Sequence, residues 1–243
     1  MNTQNVRFYM FLRLILALCV LALAGCSSKP RVGELRNESQ SVELGSEESV
    51  NVKINFGAGN LKLAGGAEKL LEAYFIYNVA ELKPEVEFTN GTLVVQQPET
   101  ESLPVLQGIT GIRNEWDLQL NNKAPMNMSV DMGAGDINLQ LAGLSLTGLD
   151  ITLGAGNCTL VLSGDWERNM DITIDTGAAT ISVILPKNIG VRVAVDQGPT
   201  MINVTGLTQD GNFYINDAYG VSDVTLNISM TTGIGLANLV VEN

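Results

Sequence analysis

Residue types that common active sites need are missing or scarce in this chain. Its 243 residues include no histidine, and 14 lysines and arginines stand against 26 aspartates and glutamates. The missing histidine excludes Ser-His-Asp and Cys-His catalytic arrangements and removes the commonest zinc ligand. The formal net charge of −12 at pH 7 repels polyanions, so we expect no nucleic-acid partner.

Cysteine is also scarce, with only Cys19, Cys26 and Cys158 in the chain. Cys19 lies in an N-terminal leader and Cys26 directly follows it at an expected lipidation site, so we expect Cys158 to have no disulfide partner. Cys158 falls at an inward position of a predicted strand, where a thiol packs as a small apolar side chain. A reactive nucleophile is the alternative interpretation of this residue.

The leader has a short apolar run, Leu14 to Leu23, that closes on Leu23-Ala24-Gly25-Cys26. Because the run has about ten residues and a spanning helix needs about twenty, it does not predict a membrane span. It resembles a bacterial lipoprotein signal, which implies cleavage between Gly25 and Cys26 and lipidation of Cys26. An uncleaved anchor helix and an ordinary secretory signal are the alternatives.

The lipoprotein resemblance implies an extracytoplasmic protein that is held on a bacterial membrane by lipid on Cys26. The polar stretch after the cysteine has no periodicity and predicts a flexible tether. We therefore divide the chain into a signal peptide (1–25), a lipidated tether (26–45), an N-terminal β module (46–125) and a repeat region (126–243). The N-terminal module is expected to cap the repeats.

The repeat region contains a recurring glycine corner, typified by Gly133-Ala134-Gly135-Asp136, whose copies begin 21 to 23 residues apart. A sharp bend in a strand requires positive φ or a close backbone approach, and both favour glycine. The predicted corner glycines are Gly57, Gly59, Gly133, Gly135, Gly154, Gly156, Gly177, Gly198 and Gly233.

Apolar residues alternate with polar ones on both sides of each corner, which predicts strands with one buried face. One unit cannot bury its apolar face alone, so the pattern predicts an all-β, parallel β-solenoid (β-helix) of about 21–23-residue coils. Residues four positions after the corner, Ile137, Cys158 and Ile181, would then form one interior column. An antiparallel sandwich with regular turns is the alternative.

Two stretches resemble a known family. Asn90-Gly91 between apolar alternations predicts a hairpin. With Gly57-Ala58-Gly59-Asn60 and Gln97-Pro98, it looks like the N-terminal module of toast-rack proteins, and Asn114-Glu115-Trp116-Asp117-Leu118 with the glycine corners resembles their repeat region. These proteins are related to LiaF-like C-terminal and putative-adhesin β-helix domains. The resemblance covers residues 46–243 and implies an exported β-solenoid without catalytic residues.

Asn60, Asp136 and Asn157 share the position three residues after a corner glycine. We expect their side chains to accept hydrogen bonds from corner amides, as in an Asx turn. A calcium ladder is the alternative, although later copies carry Thr180, Met201 and Leu236 there, and calcium needs six to eight oxygens. We predict no metal and no cofactor.

Several carboxylates and a tryptophan point to an alternative function, the cleavage or binding of polysaccharide. Asp131, Asp175 and Asp196 each lie two residues before a corner and could align across coils, as in β-helices that cleave polysaccharides. We interpret them instead as the outward half of alternating strands. Trp166 lies in an inter-strand turn, where it either packs over the edge of the solenoid or stacks on carbohydrate.

The chain stops two residues after Val241 on a predicted strand, so we expect an uncovered terminal coil. This coil either self-associates end to end or is covered by residues 207–219. The sequence thus favours a non-catalytic, membrane-anchored envelope lipoprotein for adhesion, surface presentation or envelope-stress scaffolding, with an envelope protein or glycan as partner. A polysaccharide-binding or polysaccharide-cleaving β-helix protein is the alternative.

Overall fold

The computed structural model describes residues 31–98 and 110–242, apart from the side chain of Gln197, and in this part the chain is all-β. One 3-10 turn, Ala80–Leu82, is its helical segment, and nothing helical there is long and apolar enough to cross a bilayer. The strands are β1 (Arg36–Val42), β2 (Val50–Ala67), β3 (Leu71–Tyr77), β4 (Glu85–Thr89), β5 (Thr92–Gln96), β6 (Asn114–Asn121), β7 (Met126–Gln140), β8 (Leu146–Val161), β9 (Met170–Leu185), β10 (Gly190–Gln197), β11 (Thr200–Thr205), β12 (Thr208–Asp210), β13 (Phe213–Ile215) and β14 (Thr225–Val241).

These strands belong to one hydrogen-bonded sheet. Its main path is β1-β3-β6-β2-β7-β8-β9-β14-β10-β13-β12; β11 pairs with β14, and the β4–β5 hairpin adds to β2. The long strands β2, β7, β8, β9 and β14 run parallel to one another, and their corner sequences lie in register. Antiparallel strands extend this parallel centre at both ends.

The register forces each long strand to fold back at its corner. The start of β7 pairs with the start of β8 and the end with the end, yet only residues 141–145 connect them. Five residues span at most about 18 Å, whereas fifteen extended residues span about 50 Å. Because the connection is so short, the two halves of a strand must lie against each other, which makes the sheet solenoid-like.

The interior consists of columns of apolar side chains. Ile137 pairs with Cys158, and Cys158 pairs with Ile181, and all three are at most 3% exposed. Parallel pairing of these strands contradicts the antiparallel sandwich. Towards the N-terminal strands, the core contains the buried side chain of Trp116. Its ring centroid is 4.6 Å from that of Phe56 and 5.3 Å from that of Phe75.

The last copies do not follow the order of a simple solenoid, in which each coil pairs with the next one in the chain. β14, which carries Gly233, lies between β9 and the strands β10 and β11, which flank Gly198. The last strand is therefore internal, and the end coil consists of β10 and β11. The segment 207–219 does cover this coil on its β10 side, where β13 pairs with β10 and Asn216 accepts a hydrogen bond from the Val191 amide.

The tether prediction was wrong for part of its range. Residues 36–42 form β1, which pairs antiparallel with β3 over all seven residues. Alternating serine, glutamate and arginine side chains kept the segment's apolar content low, so its strand pattern was missed. By contrast, the Asn90-Gly91 hairpin is confirmed: it joins β4 and β5, with φ of 51° and 71° at its two central residues.

Candidate functional site

The corner glycines occupy two distinct environments. At the first position, a Cβ on Gly133, Gly154, Gly177, Gly198 or Gly233 would overlap the carbonyl oxygen of a glycine in the adjacent strand. At the second position, Gly135 and Gly156 also have φ of +129° and +131°, where side chains are strained. In β2, Gly59 has φ of +136°, and the amide of Gly57 donates to Oε1 of Gln97.

Asn60, Asp136 and Asn157 do lie side by side on β2, β7 and β8. Asn157 Nδ2 donates to Asp136 Oδ1 at 2.8 Å. Among the described residues, none of the three side chains accepts a hydrogen bond from a corner amide, so the Asx-turn prediction was wrong. All three side chains are exposed, and those of Asp136 and Asn157 bond to each other across strands.

These residues belong to a continuous outer surface, which we call the amide face. It comprises the outward side chains of β2, β7, β8, β9 and β14 on the C-terminal side of each glycine corner. Strands β6, β3 and β1 continue this surface at one end, and β11 continues it at the other. Asn238 Nδ2 donates to Ser182 Oγ at 3.2 Å, and Asn203 Nδ2 donates to Asn238 Oδ1 at 2.9 Å. Amides can stack in this way because each one both donates and accepts.

A groove of about 600 Å³ lies on the amide face across β3, β6, β2, β7 and β8. One wall contains Tyr74, which is 43% exposed, beside Ile76. The other contains Asn138, Asn157 and Thr159, and Asn60, Lys62, Glu115, Asp117 and Asp136 lie between. An exposed aromatic ring beside convergent polar groups is the composition of a binding site for a small or extended ligand.

The charges of the groove are partly neutralised. Arg113 donates through Nε to Glu115 Oε1 at 2.6 Å and through an Nη to Glu115 Oε2 at 3.1 Å. This hydrogen bond holds the pKa of Glu115 below its usual value, so the carboxylate stays ionised. Lys62 forms no ion pair within the described residues, which leaves its ammonium available to a ligand.

The opposite outer surface, which we call the aspartate face, carries the outward side chains before the corner. Asp131, Asp175 and Asp196 share one column, as the sequence suggested, but Thr152 and Thr231 lie between them. Consecutive carboxylates are therefore two strand spacings, about 9.5 Å, apart. Within the described residues, no group of three histidine, cysteine or acidic side chains is placed to hold a metal ion.

The remaining candidate residues are buried or lie outside the described part of the chain. Cys158 is a buried free thiol, and burial raises its pKa to about 12, so the nucleophilic thiolate is disfavoured. Trp166 is only 7% exposed and donates from Nε1 to the Leu162 carbonyl at 2.9 Å, so it packs over the turn. Gly25 and Cys26 lie outside the described residues.

The sequence did not predict the groove. Tyr74 belongs to the aromatic segment before Tyr77, and its outward position follows from the alternation of buried Ala73 and Phe75 around it. That signal was present, but no local pattern shows that β3 and β6 enter the sheet beside β2. The chemical composition of the groove depends on this pairing.

Fold and surface define an all-β, solenoid-like protein with extended polar outer faces. The model for the N-terminal domain of toast_rack matches residues 31–184, which include β1 to β9. The chain belongs to the toast-rack family. The match begins before the N-terminal module expected from the sequence and continues through the copies at Gly133, Gly154 and Gly177.

Solved structures resemble the chain to different extents. A "putative cell adhesion protein" from Clostridium sporogenes ATCC 15579 is 30% identical, with a TM-score of 0.79 over 86% of this chain and 100% of that chain. A "putative adhesin" from Bacteroides fragilis NCTC 9343 is 9% identical, with a TM-score of 0.34 over 85% of this chain and 97% of that chain. No curated protein matches the chain.

Proposed function

We propose that this chain is a lipid-anchored protein of the bacterial cell envelope whose parallel β-solenoid body acts in adhesion by presenting its outer faces, without catalysis. The observation that carries the proposal is the 30% identity, over 86% of the chain, with the protein described as a "putative cell adhesion protein". The amide face supports it, because a continuous polar surface across nine strands suits contact with an extended partner.

The anchor is tested by metabolic labelling with an alkyne-bearing fatty acid in a bacterial host. We expect the full chain to incorporate the label and Cys26→Ser to remain unlabelled in the signal-bearing precursor form. Ser27→Ala, which keeps the cysteine, should be labelled like the natural chain. Equal labelling of Cys26→Ser would contradict the lipoprotein assignment and leave the adhesion proposal standing.

Adhesion is tested with lipid vesicles that display the full chain. We expect them to adhere to bacterial cells or to isolated cell-wall polysaccharide, whereas vesicles without protein should not. Retention of the chain on vesicles, measured by flotation, separates failure of the anchor from failure of adhesion. Anchored chains that adhere to neither surface would contradict the proposed role.

The groove favours glycan binding as a second candidate function. The Tyr74 ring offers an apolar platform for the C–H face of a sugar, and the amides of Asn60 and Asn138 both donate to and accept from hydroxyl groups. Because Glu115, Asp117 and Asp136 outnumber Lys62, the groove suits a neutral glycan or an amino sugar better than an anionic one.

A glycan array with matched variants tests the groove. Tyr74→Ala should weaken binding about fivefold, because an aromatic contact contributes roughly 1 kcal/mol, whereas Tyr74→Phe keeps the ring and most of the affinity. Asp136→Ala should also weaken binding, and Asp150→Ala, an exposed carboxylate on the aspartate face, should not. Equal loss in both aspartate variants would indicate a general charge effect instead of a site.

A further inference from the structure

The outer strands of the sheet differ in how well they are protected from further pairing. In the described part of the chain, β1, β4, β12 and β11 each pair on one side only. Natural sheets protect such edges with charged side chains or by keeping the strands short. Three of the four follow this rule: β1 contains Arg36 and Glu38, β4 contains Glu85 and Glu87, and β12 has three residues, including Asp210.

β11 is the exception. Its six residues, Thr200 to Thr205, carry no charge, and the nearest charged residues along the sequence are Asp196 and Asp210. Met201 on its outer side is 70% exposed. Ile202 and Val204 on its inner side are only partly buried, because the interior columns end at this strand. Backbone groups and apolar side chains are thus both available at one edge.

The neighbouring hairpin limits what can pair with β11. β10 and β11 both pair with β14, but two more strands, β13 and β12, extend the sheet beyond β10 and none extends it beyond β11. The guanidinium of Arg192 lies 3.6 Å from the centroid of the Phe213 ring and fixes the hairpin on β10. At this end of the sheet, the layer that ends at β11 is therefore two strands shorter than the layer that contains β10, β13 and β12. We call this difference in length the step.

This step conflicts with antiparallel pairing of β11 to β11 of a second copy, in which the β10 layers of both copies lie on the same side. Two copies joined edge to edge around a two-fold axis would each place β10 where the other has β13. A single extended strand has no such conflict, because it occupies only the space beside β13. The step thus has room for a strand and not for another end coil.

We infer that β11 is a docking edge for one extended segment of another polypeptide, which adds to the sheet as a strand. Apolar residues at alternate positions of that segment would cover Ile202 and Val204. A polar residue between them would extend the side-chain hydrogen bond that Asn203 donates to Asn238. Because the chain has a net charge of −12 and the edge itself has none, the segment is neutral or basic, not acidic.

The test uses the full chain in detergent and a fluorescent peptide, Lys-Thr-Ile-Ser-Val-Ile-Leu-Lys, whose centre repeats the residues at 180–185. We expect saturable binding by fluorescence anisotropy. A peptide with proline in place of the central serine cannot complete the ladder and should not bind. A peptide with glutamates at both ends should bind at least about tenfold more weakly, because of the charge of the chain.

Variants of the chain test whether the peptide binds at β11. Placing lysines on the edge, as in Asn203→Lys with Thr205→Lys, should weaken binding at least about tenfold. Asn127→Lys, an exposed residue of β7 on the aspartate face, should leave it unchanged. In a second measurement, Asn203→Cys should form a disulfide with a peptide carrying cysteine in place of its serine, and Asn127→Cys should not.

Three outcomes would overturn the inference. The first is the absence of peptide binding to the natural chain, and the second is binding to the Asn203→Lys, Thr205→Lys variant that equals binding to the natural chain. The third is the formation of disulfide-linked dimers of Asn203→Cys in preference to the peptide adduct. The first two would mean that β11 is covered or inert, and the third that two copies pair there. Circular dichroism of each variant shows whether the sheet is intact.

Discussion

The two outer faces of the solenoid-like sheet show two solutions to one stacking problem. Parallel, in-register pairing places equivalent outward side chains about 4.8 Å apart, one above the other. On the amide face, neighbours such as Asp136 and Asn157 bond directly, because one donates to the other. On the aspartate face, carboxylates cannot stack without repulsion, and Thr152 and Thr231 separate them. The repeat therefore limits which polar residue can recur in each column.

The largest effect is expected at the corner that both faces share. Gly156→Ala would set a Cβ against the Gly135 carbonyl oxygen at a residue with φ of +131°. We expect it to lower the free energy of unfolding by about 3 kcal/mol or more, measured by urea denaturation.

The control for this corner is Gly211→Ala, at φ of +58° with no atom within 4 Å of the added Cβ. It carries the conformational strain alone and should cost about 1 kcal/mol. Similar losses in the two variants would show that close approach of the strands adds nothing at the corner.

A second prediction concerns the interior beneath the amide face. Burial raises the pKa of Cys158 from its ordinary value of 9.0 to about 12, so the folded chain binds this proton more tightly than the unfolded chain does. The resulting stabilisation is fully present below pH 9 and is lost as the pH rises from 9 to 12. Relative to Cys158→Val, the natural chain should lose stability over that window.

Denaturant midpoints of the natural chain and Cys158→Val, measured at several pH values between 8 and about 11, give this difference. Below pH 9 the difference should be constant. A difference that stays constant at higher pH as well would mean that the thiol ionises equally in both states, and hence that Cys158 is accessible in the folded chain.

The smallest effect on stability is expected when one carboxylate is added to either outer face, and its size should differ between the two faces. Thr152→Asp would create three consecutive carboxylates, Asp131, residue 152 and Asp175, and should lower the free energy of unfolding by about 1 kcal/mol. High salt should reduce this loss, because the carboxylates are exposed.

The matched change on the amide face is Thr159→Asp, which lies between Asn138 and Ser182. Because both neighbours are uncharged, the loss should be smaller and less dependent on salt. If Thr159→Asp is as destabilising as Thr152→Asp, charge spacing does not explain the alternation on the aspartate face.

The sequence predicted the local repeat well because the repeat is encoded locally. Alternation around Gly133, Gly154 and Gly177 predicted which residues face inward, and Ile137, Cys158 and Ile181 do share a buried column. The Asn90-Gly91 turn needed only its two residues and their flanks. Each of these features depends on a few neighbours in the chain.

Pairing between distant strands was not predictable in the same way. The inward residues of β10 and of β14 are similarly apolar, so either strand could continue the interior columns beside β9. Periodicity alone therefore could not place the last copy. β1 was missed because its strand contains mostly polar residues. The groove beside Tyr74 was missed because it depends on the pairing of β6 with β2 and of β3 with β6, for which the sequence has no local signal.

The internal position of β14 has a consequence for how the chain assembles during synthesis. Thr225–Val241 is synthesised after β9, β10 and β11, yet it must lie between β9 and the other two strands. β10 and β11 therefore cannot pair with β14, the strand they share, until it too has been synthesised. A chain that stops before β14 would lack a central strand, and β11 would then have no strand to pair with.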